Sequence, residues 1–407
     1  MCSMNTFRLT TKRDTTGKDS IRKNMTRKSQ TCGFTLLELM VSMAVGLVVI
    51  AAGAQLFNQA LKGTWMTSQK AEMQSDFRAS ANLMTRDIGM AGAGSLGNQG
   101  LAASSVLLPT GSGVVPSVYP CSATTCNYIN GAPVTYPTAS CGGRCLYSII
   151  PGYNVGITVN AAQGPTDIIT VVYADANLAS SCYTITAKTN TTVNFELPAV
   201  VPPATLPPNC IVQSGLTAPQ ALNDPVVGLQ AGDVILFDQA AIAVVTNIAT
   251  CAPTGTNTAC YTATFNNSDP GHINQPSATS GDLANYTPTL GTSSATRLLV
   301  ITYYLDISPT DGVTPRLMRI QNGKSPAPVA ENVTYLKFSY DVNNNGTVNA
   351  NQTSLPAGTN PSMITKVNIL HMAMRSQLPG STGYQGLDLQ TSVAARDMTF
   401  KNEYPVQ

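Results

Sequence analysis

Charge is scarce in this chain: only 11% of its 407 residues are Asp, Glu, Lys or Arg, against about 25% in an average soluble protein. Ser, Thr, Asn, Gly and Pro fill the polar positions instead, which suits an exported, β-rich protein better than a cytosolic enzyme. Histidine is nearly absent. His272 lies in a Gly/Pro/Asn loop and His371 in an apolar, strand-like run, where it reads as a half-buried strand residue rather than a base. No G-x-S-x-G, P-loop or H-E-x-x-H sequence occurs, so nucleophile-elbow, phosphate-cradle and zincin chemistry have no residues to carry them, and the expected function is not enzymatic. Cations are missing from the middle of the chain. Between residues 145 and 296 Lys188 is the only one, facing eight carboxylates, a balance that repels DNA and argues against direct DNA binding.

What charge there is lies unevenly. Residues 1–33 carry +6 and the remainder −4, although residues 297–407 taken alone are +2. A cationic head before an apolar run follows the positive-inside rule and keeps that head in the cytoplasm. The cysteines divide the same way. Cys2 and Cys32 precede the apolar run; Cys121, Cys126, Cys141, Cys145, Cys182, Cys210, Cys251 and Cys260 follow it. An even number downstream of an export signal reads as disulfides in an oxidising compartment. Short loops favour Cys251 with Cys260 and Cys182 with Cys210. The spacings Cys121-x4-Cys126 and Cys141-x3-Cys145 approach those of a zinc knuckle, but the oxidising location favours disulfides that staple a loop.

From Phe34 to Phe57 the chain reads FTLLELMVSMAVGLVVIAAGAQLF, with Glu38 its one ionisable residue. About 20 apolar residues suffice to cross a bilayer as a helix. A secretory signal has a shorter apolar region before its cleavage site, and a lipoprotein signal would place the apolar residues before Cys32, not after it. A plain anchor leaves the carboxylate unexplained. The run Gly33-Phe34-Thr35-Leu36-Leu37-Glu38, behind a basic leader, resembles the type IV prepilin motif. That resemblance implies cleavage after Gly33 by a membrane aspartyl peptidase, methylation of the new N-terminus at Phe34, and retention of the apolar helix. It further implies that Glu38 pairs with a neighbouring subunit's α-amino group during assembly, which would offset the several kcal/mol a carboxylate costs in a membrane. A 33-residue leader is long for the motif: either translation starts at Met25, leaving MTRKSQTCG, or residues 1–24 are an extension with no assigned role.

Beyond the apolar run, Met73, Phe77, Ala81, Met84 and Ile88 recur at helical spacing, with Lys70, Glu72, Asp76, Arg78, Arg86 and Asp87 on other faces. The pattern predicts an amphipathic continuation of the same helix to about residue 90, ended by Gly89, Gly92 and Gly94. After Gly97 short apolar runs alternate with turn residues. Strands are expected at 167–174, 233–237, 241–248, 297–305, 333–340 and 364–374, spaced too unevenly for βαβ units.

The fold class is therefore α+β, a pilin-like long N-terminal helix (membrane half, then amphipathic half) packed on an antiparallel β-rich head with disulfide-stapled loops. The expected divisions are a cleaved leader 1–33, membrane and assembly helix 34–57, amphipathic helix 58–92 and head 93–407, with elaborations near 100–165 and 176–230.

One motif in the head suggests an ion. Asp341, Asn343 and Asn345 stand at positions 1, 3 and 5 of a calcium-type loop with Gly346 at 6, but position 12 is Gln352, which cannot supply a bidentate carboxylate. The alternative is an Asn-Gly hairpin turn after strand 333–340. No other cofactor is expected.

The stem ending DFRASANLMTRDIGMAGAG, followed by PTDIITVVY, RLLVITYYLD, PRLMR, ENVTYLKFSYD, KVNILHMAMRS and RDMTFKNEY, resembles PilW-type minor pilins, relatives of the GspJ-like pseudopilins of type II secretion. The resemblance implies a subunit that starts in the inner membrane with its head outside. Its partners would be prepilin peptidase, other minor and major pilins and the pilus assembly platform, and its final place the pilus. Motility, attachment and DNA uptake would follow indirectly. A secretion pseudopilin, or an adhesin carried on a pilin stem, are the rival readings.

Overall fold

The computed structural model describes residues 35–93, 128–129, 132–133, 146–175, 182–199, 210, 219–238, 240–269, 273–275, 283–293, 295–322, 324–344, 346–376 and 384–395. The chain divides into two compact units, Met1–Gly63 and Thr64–Gln407. A single helix, α1, runs Leu36–Gly89, roughly 80 Å at 1.5 Å per residue.

In the first unit the helix is apolar on every side, and its side chains up to Lys62 are exposed, with only Gly46 partly covered. In the second unit its character changes to one-sided. Gln69, Met73, Phe77, Ser80, Ala81, Met84, Asp87 and Ile88 are buried, at the three- and four-residue steps that keep side chains on one helical face. Burying each large apolar member contributes on the order of 1.5–3 kcal/mol. Gly92, at φ +82°, takes the left-handed conformation that closes many helices.

Seventeen strands lie among the described residues. They are β1 (Tyr128–Ile129), β2 (Ala132–Pro133), β3 (Ile149–Gly152), β4 (Ile168–Ala174), β5 (Thr184–Lys188) and β6 (Thr192–Leu197). Then come β7 (Val234–Phe237), β8 (Ala241–Val244), β9 (Asn247–Thr250), β10 (Ala259–Thr264), β11 (Ala295–Ile307) and β12 (Pro315–Gln321). The last are β13 (Ala327–Glu331), β14 (Val333–Asn344), β15 (Thr347–Gln352), β16 (Ile364–Ser376) and β17 (Tyr384–Ala394).

A seven-stranded sheet runs β13-β12-β11-β4-β3, and the start of β11 also pairs with β7, which pairs with β8. Two four-stranded sheets run β5-β6-β10-β9 and β15-β14-β16-β17. The ladders in all three are antiparallel.

Strand β4 is buried at every position because it is covered on both faces. Ile169, Val171 and Tyr173 join the stem residues Met73, Phe77, Met84 and Ile88 and the inner face of β14 (Leu336, Phe338, Tyr340 and Val342) in one core. Ile168, Val172 and Ala174 face a second core with Val234, Ile242 and Val300. A third core fills the space between β7–β8 and the β5-β6-β10-β9 sheet around Phe195, Phe237 and Phe265.

Three expectations need correction. The run 241–248 is two strands, not one. Val245 donates its N–H to the Asp233 carbonyl and Thr246 to the Thr264 carbonyl, so the chain leaves one sheet and joins another between adjacent residues. The segment 176–230 is not wholly an elaboration, since it supplies β5 and β6, whose Ile185, Val193 and Phe195 are core residues. His371 is fully buried, not half-buried. β16 pairs on both edges with β14 and β17, and its His371 ring meets Phe77 of the stem, centroids 4.0 Å apart.

Candidate functional site

The helix begins with a residue pair suited to its place. Thr35 precedes the first helical residue, and its Oγ1 accepts the Glu38 N–H at 3.3 Å. Thr-x-x-Glu is the residue pattern of a capping box, and a carboxylate in the first turn also complements the helix dipole. Glu38 is exposed, followed by Leu39, Met40, Val41, Met43, Val45, Leu47, Val48, Val49 and Ile50, all at least half exposed. The helix is long and apolar enough to cross a membrane, and none of its most apolar stretch is buried within the chain. A lone carboxylate at the end of such a surface is a point where an external positive group would bind strongly, because little water competes there. Gly33 and Phe34 lie outside the described residues.

The other end of the helix is tied to the head by a buried carboxylate. Asp87 is 3% exposed. Its Oδ1 accepts from Tyr173 Oη at 3.1 Å, and its Oδ2 from Tyr303 Oη at 2.6 Å and Arg319 Nε at 2.9 Å. An acidic residue in the last turn opposes the helix dipole, so it needs donors from elsewhere. One arrives from each of the neighbouring strands β4, β11 and β12. Burial first, and the Asp87 charge second, push the Tyr173 and Tyr303 hydroxyls well above the ordinary phenol range, so both stay protonated as donors. The charge pattern of the sequence assigns Asp87 to the polar side of the helix, and the structure corrects this. Its three-residue step from Met84 places it on the apolar face, and that step is the signal from which its burial could be read.

Among the described residues, His371 finds no hydrogen-bond partner of ordinary geometry for either ring nitrogen. Burial, only partly offset by the Phe77 backbone, pushes its pKa down to about 4, so the ring is neutral against the stem.

The calcium candidates sit on the β14–β15 hairpin, whose register closes on Asn344 opposite Thr347, with Gly346 at φ +89°. Asp341 Oδ1 accepts from Asn351 N at 2.8 Å and Asn368 Nδ2 at 3.1 Å, and Oδ2 lies 3.6 Å from Lys366 Nζ. Asn343 Oδ1 accepts the Gly346 N–H at 2.8 Å. These acceptors close the turn, each with its own donor. Asn345 lies outside the described residues, as do Cys121, Cys126, Cys141 and Cys145. Among the described residues no three His, Cys, Asp or Glu side chains gather as a metal site. Among the described residues two disulfides are present, Cys182–Cys210 and Cys251–Cys260.

A long helix, apolar and exposed at its start and packed on antiparallel sheets at its end, defines a pilin-like α+β architecture. Comparison with known families narrows the class: residues 28–54 match the prokaryotic N-terminal methylation motif. Over 87 residues the chain is 38% identical to the pilin-like protein PilA3 of Thermus thermophilus, a match covering 21% of this chain and 37% of that relative. The chain thus spans little more than a third of that relative's length. No solved structure matches. This chain therefore carries an N-terminal methylation motif at the start of a membrane-length helix on a pilin-like α+β fold.

Proposed function

We propose that the chain is a minor pilin of the PilW type, cut after Gly33 by prepilin peptidase, methylated on Phe34, and built into or priming a type IV pilus. The observation that carries this reading is Glu38, an exposed carboxylate in the first turn of a membrane-length apolar helix. A plain anchor has no use for it. In a helix bundle of other minor and major pilins, the α-amino group of a neighbouring subunit supplies the missing positive charge, and the exposed apolar face exchanges lipid for protein. The inner membrane holds the subunit until the assembly platform draws it in. Motility, attachment and DNA uptake follow from the filament, not from chemistry in the head. The reading needs no cofactor. Calcium at Asp341, Asn343 and Asn345 would be a weak structural ion, measurable as a melt with and without millimolar calcium.

Mass spectrometry of sheared surface filaments tests the reading. A peptide starting at N-methylated Phe34 is the expected result. Processed peptide in membranes but absent from filaments favours a secretion pseudopilin, or a priming subunit too scarce to detect. Gly33 still joined to Phe34 in piliated cells overturns the reading.

A further inference from the structure

The face of the β15-β14-β16-β17 sheet opposite the core carries a cleft of about 330 Å³, a size within the small-molecule range. Alternation along β14 sends Leu336, Phe338 and Tyr340 into the core and leaves Tyr335, Lys337 and Ser339 for this other face. They line the cleft together with Asn368 of β16, Gln390 of β17 and Tyr153, which follows β3.

One wall is firmly built. Asp167, 1% exposed, accepts from Asn154 N at 2.8 Å, Lys337 Nζ at 2.8 Å and Phe338 N at 3.0 Å. Asn154 is held at φ +55°, an uncommon conformation for a residue with a side chain, and its Oδ1 bonds Lys337 Nζ. The same ammonium lies 5.2 Å from the Tyr153 ring centroid. A buried carboxylate thus fixes both the lysine and the turn that presents an exposed tyrosine.

The consequence for a ligand is electrostatic. Lys337 is compensated by Asp167, and Asp341, on the same sheet face and bonded to Asn368, is compensated by Lys366. The cleft offers no spare charge of either sign. What it offers is neutral hydrogen bonding. Among the described residues, the side chains of Tyr153, Tyr335, Ser339, Thr353 and Gln390 hydrogen-bond to no other residue. Asn368 has its two amide protons committed to Asp341 and Asn351, which leaves its carbonyl oxygen as an acceptor. Hydroxyls and amides that both donate and accept, beside two phenol rings, match a neutral ligand with many hydroxyls and an apolar ring face. An anion meets only a lysine already paired, and a purely apolar segment would strand the amides.

We propose that this cleft binds a neutral carbohydrate, a hexose or N-acetylhexosamine unit of a glycan. Tyr153 and Tyr335 would cover the ring, and Asn368, Gln390 and Ser339 would read its hydroxyls. The proposal goes beyond the assembly reading and is independent of it, since sugar binding and Phe34 processing are measured separately.

The test uses the full chain in a zwitterionic detergent, because a sugar-headed detergent would compete. It is titrated with glucose-, galactose-, mannose- and N-acetylglucosamine-terminated oligosaccharides, and saturation-transfer NMR reads the contacts. Binding of at least one, weakened about tenfold or more in both Tyr153→Ala and Gln390→Ala, is the expected result. Both residues are exposed, so an unchanged far-UV circular dichroism spectrum and thermal melt confirm the fold of each variant. Failure of the whole panel at millimolar sugar overturns the proposal, as does binding indifferent to both substitutions. Preference for the acidic polymer heparin, abolished by salt and by Lys337→Gln, also overturns it, because the cleft would then be an anion site.

Discussion

Replacing Asp87 by alanine removes the acceptor for three donors at once: Tyr173 and Tyr303 through their hydroxyls and Arg319 through Nε. Tyr303 is fully buried and Arg319 keeps a side-chain exposure of 21%, so the phenol keeps its contact with Arg319 but its O–H loses its acceptor, while the guanidinium recovers some water. Breaking a buried charge pair by deleting one partner costs roughly 3–5 kcal/mol. The partial exposure of Arg319 places the expected loss toward the lower end. The loss falls on the docking of the stem, so the assay should be local: amide hydrogen exchange along residues 70–88 of the full chain. At 1.4 kcal/mol per decade, exchange there should quicken by roughly two to three powers of ten, while β5, β6 and β10 keep their protection. Asp87→Asn keeps the shape and loses the charge, and should fall between wild type and alanine. A double-mutant cycle with Tyr303→Phe should give a coupling of about 1.5–3 kcal/mol, as for hydrogen bonds to a charged group. Exchange in Asp87→Ala within a factor of about three of wild type, or zero coupling to Tyr303, would refute the argument that this carboxylate holds the stem to the sheet.

His371 predicts a pH slope. Its folded pKa is depressed to about 4 from an unfolded value near 6.5, so its contribution is full above about 6.5 and is lost as pH falls toward 4. The loss is on the order of 3 kcal/mol, and urea unfolding of His371→Leu across this range should show a flatter profile. Glu38→Ala should leave cleavage after Gly33 intact yet remove the subunit from sheared filaments. Unchanged incorporation would mean that the carboxylate has no assembly role. The disulfides enclose loops of 28 and 9 residues, for which loop entropy predicts about 3.5 and 2.5 kcal/mol. Cys182→Ser with Cys210→Ser should therefore lower the urea midpoint more than the corresponding change at Cys251 and Cys260.

How far the sequence foretold this molecule depended on what each residue faces. The stem was legible because a one-sided helix writes its packing as a period of 3.6. Strands β4 and β11 were legible because burial on both faces leaves nearly unbroken apolar runs. Strand β12 was missed since Arg316 and Arg319 interrupt it. Arg316 reaches Asp306 directly across the β11–β12 pairing, and Arg319 reaches Asp87, 232 residues away in sequence and not readable from it. Strand β17 does carry an alternation, half-buried Leu387, Leu389 and Val393 between exposed Asp388, Gln390 and Ser392, so its signal was present although it was not among the expected strands. The change of sheet at Val245 and Thr246 left no signal, because both sheets ask for the same β-branched residues. The cleft was invisible for a related reason: Tyr153, Asp167, Lys337, Asn368 and Gln390 come together only through pairing.

The partners of Asp87 lie 86, 216 and 232 residues downstream of it. At synthesis rates of about 5–20 residues per second, roughly 10–50 s separate the appearance of Asp87 from that of Arg319. In that interval the stem has no finished surface to dock on, whereas the β5-β6-β10-β9 sheet, its core with Phe265, Leu283 and Tyr286, and the disulfides Cys182–Cys210 and Cys251–Cys260 need nothing beyond residue 295. The order of events is therefore written into the topology. The outlying sheet can be complete while the helix that leads the chain is still waiting, and a stall before residue 319 would yield a protein with a sound periphery and an unattached stem.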